Sequence, residues 1–114
     1  MKTIIAGSRT ITEYSHLLQA IAVCGWTPSL VLSGTAKGVD RLGEMWAIGN
    51  KVPLKRYPAD WNTYGKSAGY RRNEEMAERA EALLAIWDTK SKGTQHMISV
   101  AGKKNLRIFI WEVV

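Results

Sequence analysis

Six consecutive apolar residues, Ala82-Leu83-Leu84-Ala85-Ile86-Trp87, constrain this chain more than any other stretch. A strand with one wet face alternates polar and apolar residues, whereas an unbroken run fits a strand covered on both faces. The run passes into the polar, cationic segment Asp88-Thr89-Lys90-Ser91-Lys92-Gly93-Thr94-Gln95-His96. Met97, Ile98 and Ala101 then follow at the spacing of a helix face. The whole reads as a buried strand, a turn, and a helix opening near Gly93-Thr94. A helix N-terminus presents unpaired N–H groups and a partial positive charge, which suit an anion. A solvated loop with a threonine cap would explain the same residues.

The rest of the chain repeats this unit. Thr3-Ile4-Ile5-Ala6 reads as a second buried strand, broken by Gly7-Ser8-Arg9-Thr10. Thr10 and Glu13 have the spacing of a capping box. The helix after them is expected to pack Tyr14, Leu17, Leu18, Ile21 and Ala22 on one face and to stop at Gly25. Leu30-Val31-Leu32 is a strand that breaks at Ser33-Gly34-Thr35-Ala36-Lys37-Gly38-Val39-Asp40. Val39, Leu42, Trp46 and Ala47 mark the next helix, closed by Gly49-Asn50. Val52 to Tyr57 alternates and contains Pro53, which places it at a sheet edge. Residues 58–65 read as the longest loop, a further helix runs from about Ser67 to Arg79, and Arg107 to Val113 forms the last strand.

Strands alternating with helices predict an α/β fold: a three-layer Rossmann-like sandwich with a five-stranded parallel sheet and right-handed crossovers. The two most apolar strands should be central, giving the order 3-2-1-4-5. The chain changes direction between those two, and open α/β sheets bind ligands at such a switch point, beyond the carboxyl ends of the strands. The loops there are Gly7–Thr10 and Asp88–Thr94, with Ser33–Asp40 alongside. Each is rich in small residues and carries a cation: Arg9, Lys37, Lys90 or Lys92.

Composition narrows the chemistry. The 114 residues suffice for a single domain, 1–114, with its own core. The net charge of +6 admits nucleic acid or a phosphorylated small molecule, but lysine and arginine are spread along the chain, which disfavours nucleic acid. One cysteine, Cys24, cannot form an intrachain disulfide; it is expected to be packing, in a cytoplasmic protein. Two histidines and one cysteine make no metal constellation, and no cofactor is expected. No signal-peptide pattern or membrane-length apolar run is evident. Most of the five tryptophans are expected in the core.

Several residues suit a ligand. Arg9 follows a buried strand in a tight turn, and its planar fork matches phosphate or carboxylate; a surface ion pair is the alternative. Gly34 and Gly38 would admit a ligand close to the backbone, or serve the turn alone. Asp40 falls in a first helical turn, where it would favour the dipole or meet a ribose hydroxyl. Arg72 and Asn73 share a helix face with Gly69, Met76 and Ala80, so they should point inward near the switch point. A charge held there needs a partner, either Asp60, Asp88 or a ligand phosphate. Trp61 would stack on a base or plug its loop onto the core. His96 is expected to turn outward.

Gly7-Ser8-Arg9, Ser33-Gly34-x-Ala36-x-Gly38-Val39-Asp40, Pro58-Ala59-Asp60-Trp61, Ala68-Gly69-x-x-Arg72-Asn73 and Ser91-x-Gly93-Thr94-x-His96 occur in that order. In this the chain resembles the YspA-like branch of the SLOG superfamily, small Rossmann-like proteins related to LOG phosphoribohydrolases and to DprA. The resemblance spans nearly the whole chain. It implies a nucleotide or nucleotide-derived ligand, bound through its phosphate by a sensor or sequestering protein. Gly7, Ser8, Arg9, Ser91, Gly93 and Thr94 would hold phosphate. Gly34 to Asp40, with Lys37 and Gly38, would flank the ribose; Ser33 belongs to the ligand-binding set beside them, and Asp60, Trp61, Arg72 and Asn73 would complete the pocket. The LOG motif Pro-Gly-Gly-x-Gly-Thr-x-x-Glu aligns with Lys90 to Met97, so Met97 stands where the catalytic glutamate would be. That argues against a LOG-like hydrolase, which remains the alternative, with DprA-like binding of single-stranded DNA as a second. Family habit and apolar residues on the last strand (Ile108, Ile110, Trp111) imply a homo-oligomer.

Overall fold

The computed structural model describes residues 1–114. Five strands, β1 (Lys2–Gly7), β2 (Leu30–Ser33), β3 (Leu54–Arg56), β4 (Ala82–Trp87) and β5 (Arg107–Glu112), form one sheet in the order β3-β2-β1-β4-β5. All four pairings are parallel, so every connection crosses over the sheet. The helices are α1 (Tyr14–Val23), α2 (Val39–Gly49), the single turn α3 (Trp61–Tyr64), α4 (Ala68–Arg79) and α5 (Lys92–Lys103), with a 3-10 turn at Gly65–Ser67 before α4.

The strand sequences build two cores. Neighbouring side chains on a strand point to opposite faces. Ile5, Leu84 and Ile86 therefore pack against α1 and α2 through Leu17, Ala20, Leu42, Trp46 and Ala47. Ile4, Leu83 and Ala85 pack against α4 and α5 through Met76, Ala77, Met97, Val100 and Ala101. In β4, Ala82 through Ile86 are completely buried, as the unbroken apolar run predicts. Truncating Leu83 or Leu84 to alanine at such a site costs about 2–5 kcal/mol.

Local boundaries depart from the sequence reading where tertiary contacts intervene. The Thr10–Glu13 capping box does not form. Ile11 is drawn into the core, with its N–H donating to the Ser8 carbonyl at 3.3 Å, and α1 starts only at Tyr14. Consequently the buried stripe of α1 is Leu17 and Ala20, and Leu18 is exposed. β3 shortens to three residues and lies at one edge, with β5 at the other. Of the tryptophans, Trp46 is buried, Trp26, Trp87 and Trp111 are half-buried, and Trp61 is exposed. No helix is long and apolar enough to cross a membrane.

Candidate functional site

The carboxyl ends of β1 and β4 are tied together by one side chain. The Ser8 N–H donates to the Ile86 carbonyl at 3.0 Å, and Ser8 Oγ accepts the Asp88 N–H at 2.9 Å. The Ser8 carbonyl also accepts from Val39, at the start of α2. Gly38 takes φ +74°, and a Cβ on it would collide with the Ser8 carbonyl and the Arg9 backbone. Ser8 and Gly38 thus serve the close packing of three loops and do not line a pocket.

Beside them opens a cavity of about 380 Å³, within the range of small-molecule sites. It is lined by Gly7 and Arg9 from the first loop, and by Gly34, Thr35 and Asp40 from the second. Trp61, Lys66, Tyr70, Arg72 and Asn73 from the α3–α4 segment, and Ser91, Gly93 and Thr94 from the start of α5, complete the wall. Ten of the fifteen candidates from sequence meet there. Ser33, Lys37 and Asp60 join Ser8 and Gly38 outside it. Ser33 is buried, donating to Glu44 at 2.6 Å and accepting the Thr35 N–H. Lys37 is exposed on the loop. Asp60 caps α3 by accepting the Thr63 N–H at 3.1 Å.

The α5 start leaves backbone donors free. Ser91 caps the helix, and Thr94 donates its N–H to Ser91 Oγ. Asp88 folds the turn by accepting the Lys90 and Ser91 amides, both at 2.8 Å, and these bonds hold its pKa below the usual carboxylate value. The Lys92 and Gly93 amides find no acceptor in the protein. Nothing lies within 4 Å of where a Gly93 Cβ would stand, so packing does not require glycine at this position.

Arg72 enters from α4. Its guanidinium donates to the Gly34 carbonyl and, through Nε, to Asn73 Oδ1 at 3.0 Å. Neither Asp60 nor Asp88 pairs with it; the ion pairs of the chain are Arg56–Glu44 and Lys104–Glu78. Burial lowers the Arg72 pKa, nearby Asp40 raises it, and Arg9 lowers it again. Two guanidiniums therefore repel one another across a cavity in which Asp40 is the sole carboxylate. Asp40 is 6% exposed and accepts the Ala36 N–H at 3.1 Å. Burial pushes its pKa up to about 6, against the lowering effects of the Ala36 bond and Arg72. Gly34 leaves space for this arrangement: a Cβ there would lie 2.7 Å from Arg72 Nη1 and 2.8 Å from Asp40 Oδ2.

Two further features escape sequence reasoning. Thr35 and Thr89 adopt φ of +65° and +67°, a region costly for a β-branched residue. Both lie in loops of the site. His96 does not turn outward: its Nδ1 meets Asn73 Nδ2 at 3.1 Å, and its ring stacks on Tyr70 with centroids 3.9 Å apart and planes 10° apart. With Asn73 Oδ1 accepting from Arg72, its Nδ2 faces His96 Nδ1, an arrangement that suits a neutral ring protonated on Nε2; burial depresses the His96 pKa. Tyr70 and Lys66 line the cavity although neither stood out in sequence. The nearest signal was Gly69, beside Tyr70 on the Arg72/Asn73 helix. Trp61 does not plug its loop onto the core; it is 58% exposed at the cavity.

Comparison with known proteins places this geometry. The profile described as the YspA, cpYpsA-related SLOG family matches residues 1–64. The Gene 61 protein of Mycobacterium phage D29 is 34% identical over 116 residues, covering 94% of this chain and 93% of that protein. DNA processing protein A (DprA) from Streptococcus pneumoniae superposes with a TM-score of 0.75 at 16% identity, over 96% of this chain. The chain spans 49% of that DprA chain, and the likeness establishes a shared Rossmann-like fold.

Proposed function

The chain belongs to the YspA, cpYpsA-related SLOG family, and from that premise we propose that it binds a nucleotide or nucleotide-derived ligand through its phosphate at the switch-point cavity. One observation carries the reading: Arg9 and Arg72, neither paired with a carboxylate, share the cavity with the unsatisfied Gly93 amide. A phosphoryl group there would accept charge-assisted hydrogen bonds from a guanidinium and from a helix N-terminus together. Asp40 and Asn73, on the same walls, suit ribose hydroxyls. Met97, buried on α5, lines the cavity where a LOG-like glutamate would stand, so no carboxylate occupies that position, which favours binding by a sensor or sequestering protein, acting in the cytoplasm as a homo-oligomer.

The test is a thermal-shift screen of nucleoside phosphates, cyclic dinucleotides and ADP-ribose derivatives. A ligand at a hundred times its Kd stabilises by about 2.7 kcal/mol, which moves the Tm of a domain this size by several degrees. The shift should disappear in Arg72→Met. A flat response across the panel overturns the reading.

A second reading, cleavage of the N-glycosidic bond, draws support from Asp40, a buried carboxyl with a pKa near 6 in the same cavity. Groups so perturbed serve acid–base chemistry. Water would add to C1′ and the base would leave with a proton. Release of free base from nucleoside monophosphates, abolished in Asp40→Asn, would establish it; intact nucleotides after prolonged incubation would exclude it.

A further inference from the structure

The chain has five tryptophans, four tyrosines and one phenylalanine. The three exposed ones, Trp61, Tyr64 and Tyr70, fall within ten residues of one another on the segment that leads into α4. Two of these, Trp61 and Tyr70, line the cavity that holds Arg9 and Arg72. Leaving large rings in water forgoes the burial that the other aromatics obtain. Their placement at a single cavity therefore calls for something to cover them.

Both rings are held in place from one side. Tyr70 lies flat on His96, 3.9 Å away and nearly parallel, so one face of the ring is backed while the residue remains 48% exposed. His96 is in turn fixed by Asn73, the residue that also binds Arg72. Trp61 rests its indole edge against Gly69, where a Cβ would stand 3.4 Å from Cη2, and Asp60 caps the short helix that carries it. Tyr70, backed on one face by His96 and wet on the other, is a stacking platform whose orientation is fixed before the ligand arrives. The segment from Trp61 to Arg72 contains Lys66, Arg71 and Arg72 and no acid, so the surroundings favour an anionic ligand.

Resting on the phosphate reading above, we infer that Trp61 and Tyr70 form a nucleobase subsite. The site therefore selects nucleotides over sugar phosphates, with the base against these rings and the phosphate towards Arg72 and the α5 start. Tyr70 is the specificity-determining residue, because His96 and Asn73 couple its position to that of Arg72. Trp61 contributes stacking area from the exposed one-turn helix α3.

The test compares three probe classes on the full chain: the four common nucleoside 5′-monophosphates, their free nucleosides, and ribose 5-phosphate. Affinity is measured by equilibrium dialysis and by quenching of tryptophan emission. At least one monophosphate should bind tenfold or more tightly than ribose 5-phosphate. Quenching should accompany binding in wild type and vanish in Trp61→Phe, which keeps a ring but removes the emitter. Tyr70→Ala and Trp61→Ala should bring nucleotide affinity down to that of ribose 5-phosphate; Tyr70→Phe should restore it. Equal binding of ribose 5-phosphate and every nucleotide overturns the base subsite while the phosphate reading stands. Nucleosides binding as well as their monophosphates, with loss in Tyr70→Ala, would support the base subsite while the phosphate reading fails. Absence of binding by all three classes overturns both.

Discussion

Replacing Asp40 by asparagine should stabilise the empty protein at neutral pH and leave it unchanged in acid. Asp40 is buried, and its pKa rises from 3.8 to about 6 because burial outweighs the Ala36 hydrogen bond and the Arg72 charge. A raised pKa means that the folded state holds the proton more tightly than the unfolded chain does. The resulting stabilisation is complete below the unfolded value near 3.8 and is lost as pH rises through about 6. At about 1.4 kcal/mol per pH unit, the span from 3.8 to about 6 corresponds to about 3 kcal/mol. Asparagine reproduces the protonated form: it is neutral, nearly isosteric, and its oxygen can still accept from Ala36. Wild type and Asp40→Asn should therefore have equal stability at pH 3. They should separate across the window from 4 to 7, with the mutant more stable by up to about 3 kcal/mol at pH 7.5. Urea unfolding at half-unit pH intervals measures this directly, and comparison of the two proteins cancels the groups they share. Parallel stability curves would refute the argument, since they would mean that Asp40 ionises in the fold as easily as in water. A mutant less stable at pH 7.5 than at pH 3, relative to wild type, would show that the carboxylate stabilises as an anion paired with Arg72.

Arg72→Met should cost no more than about 2 kcal/mol, because hydrogen bonds to Gly34 and Asn73 are lost but no carboxylate is stranded; a loss of 3–5 kcal/mol on chemical unfolding would indicate a buried ion pair instead. Gly34→Ala places a methyl group against Arg72 and Asp40, so it should lower stability by about 1–3 kcal/mol and weaken nucleotide binding in the same thermal-shift assay. Thr89→Asn relieves a β-branched residue at positive φ and should raise stability by about 0.5–1 kcal/mol; no change on unfolding would show that the turn relaxes without cost. Sedimentation should find a species heavier than one chain at micromolar concentration, given Ile110 exposed on the edge strand β5, and a purely monomeric boundary would disprove self-association.

The sheet was legible because its signal is local. Ala82–Trp87 and Thr3–Ala6 are apolar without alternation, which only a doubly covered strand allows, and their adjacency in the observed order fixes the switch point. The inward turn of Asn73 was legible too, since Met76 three residues on must face the core. What failed depends on partners remote in sequence. Thr10 and Glu13 have the spacing of a cap, but Ile11 gains more by entering the core than the cap would contribute, so α1 begins late. His96 looks outward by helix periodicity; it is α4, 23 residues earlier, that supplies Asn73 and draws it in. Trp61 looked like a plug because large apolar side chains usually are, and nothing in its neighbours announces an exposed ring. Ser8, Ser33, Lys37, Gly38 and Asp60 share the loops of the site, but a loop has an inside as well as a rim, and sequence does not distinguish them.

The bonds gathered by Ser8 have a mechanical consequence. Its N–H, Oγ and carbonyl fasten the ends of β1, β4 and the start of α2 to one another, so this wall of the cavity is cross-tied and should resist widening when a ligand enters. Any adjustment on entry should come from the opposite wall, where α3 is one turn long and joins α4 through a 3-10 turn with Gly65 at φ +57°. Capture and release would then be timed by the segment from Asp60 to Ser67 swinging against a stationary anvil. Rates of ligand exchange should accordingly respond to changes at Gly65 and stay indifferent to the loops that Ser8 holds.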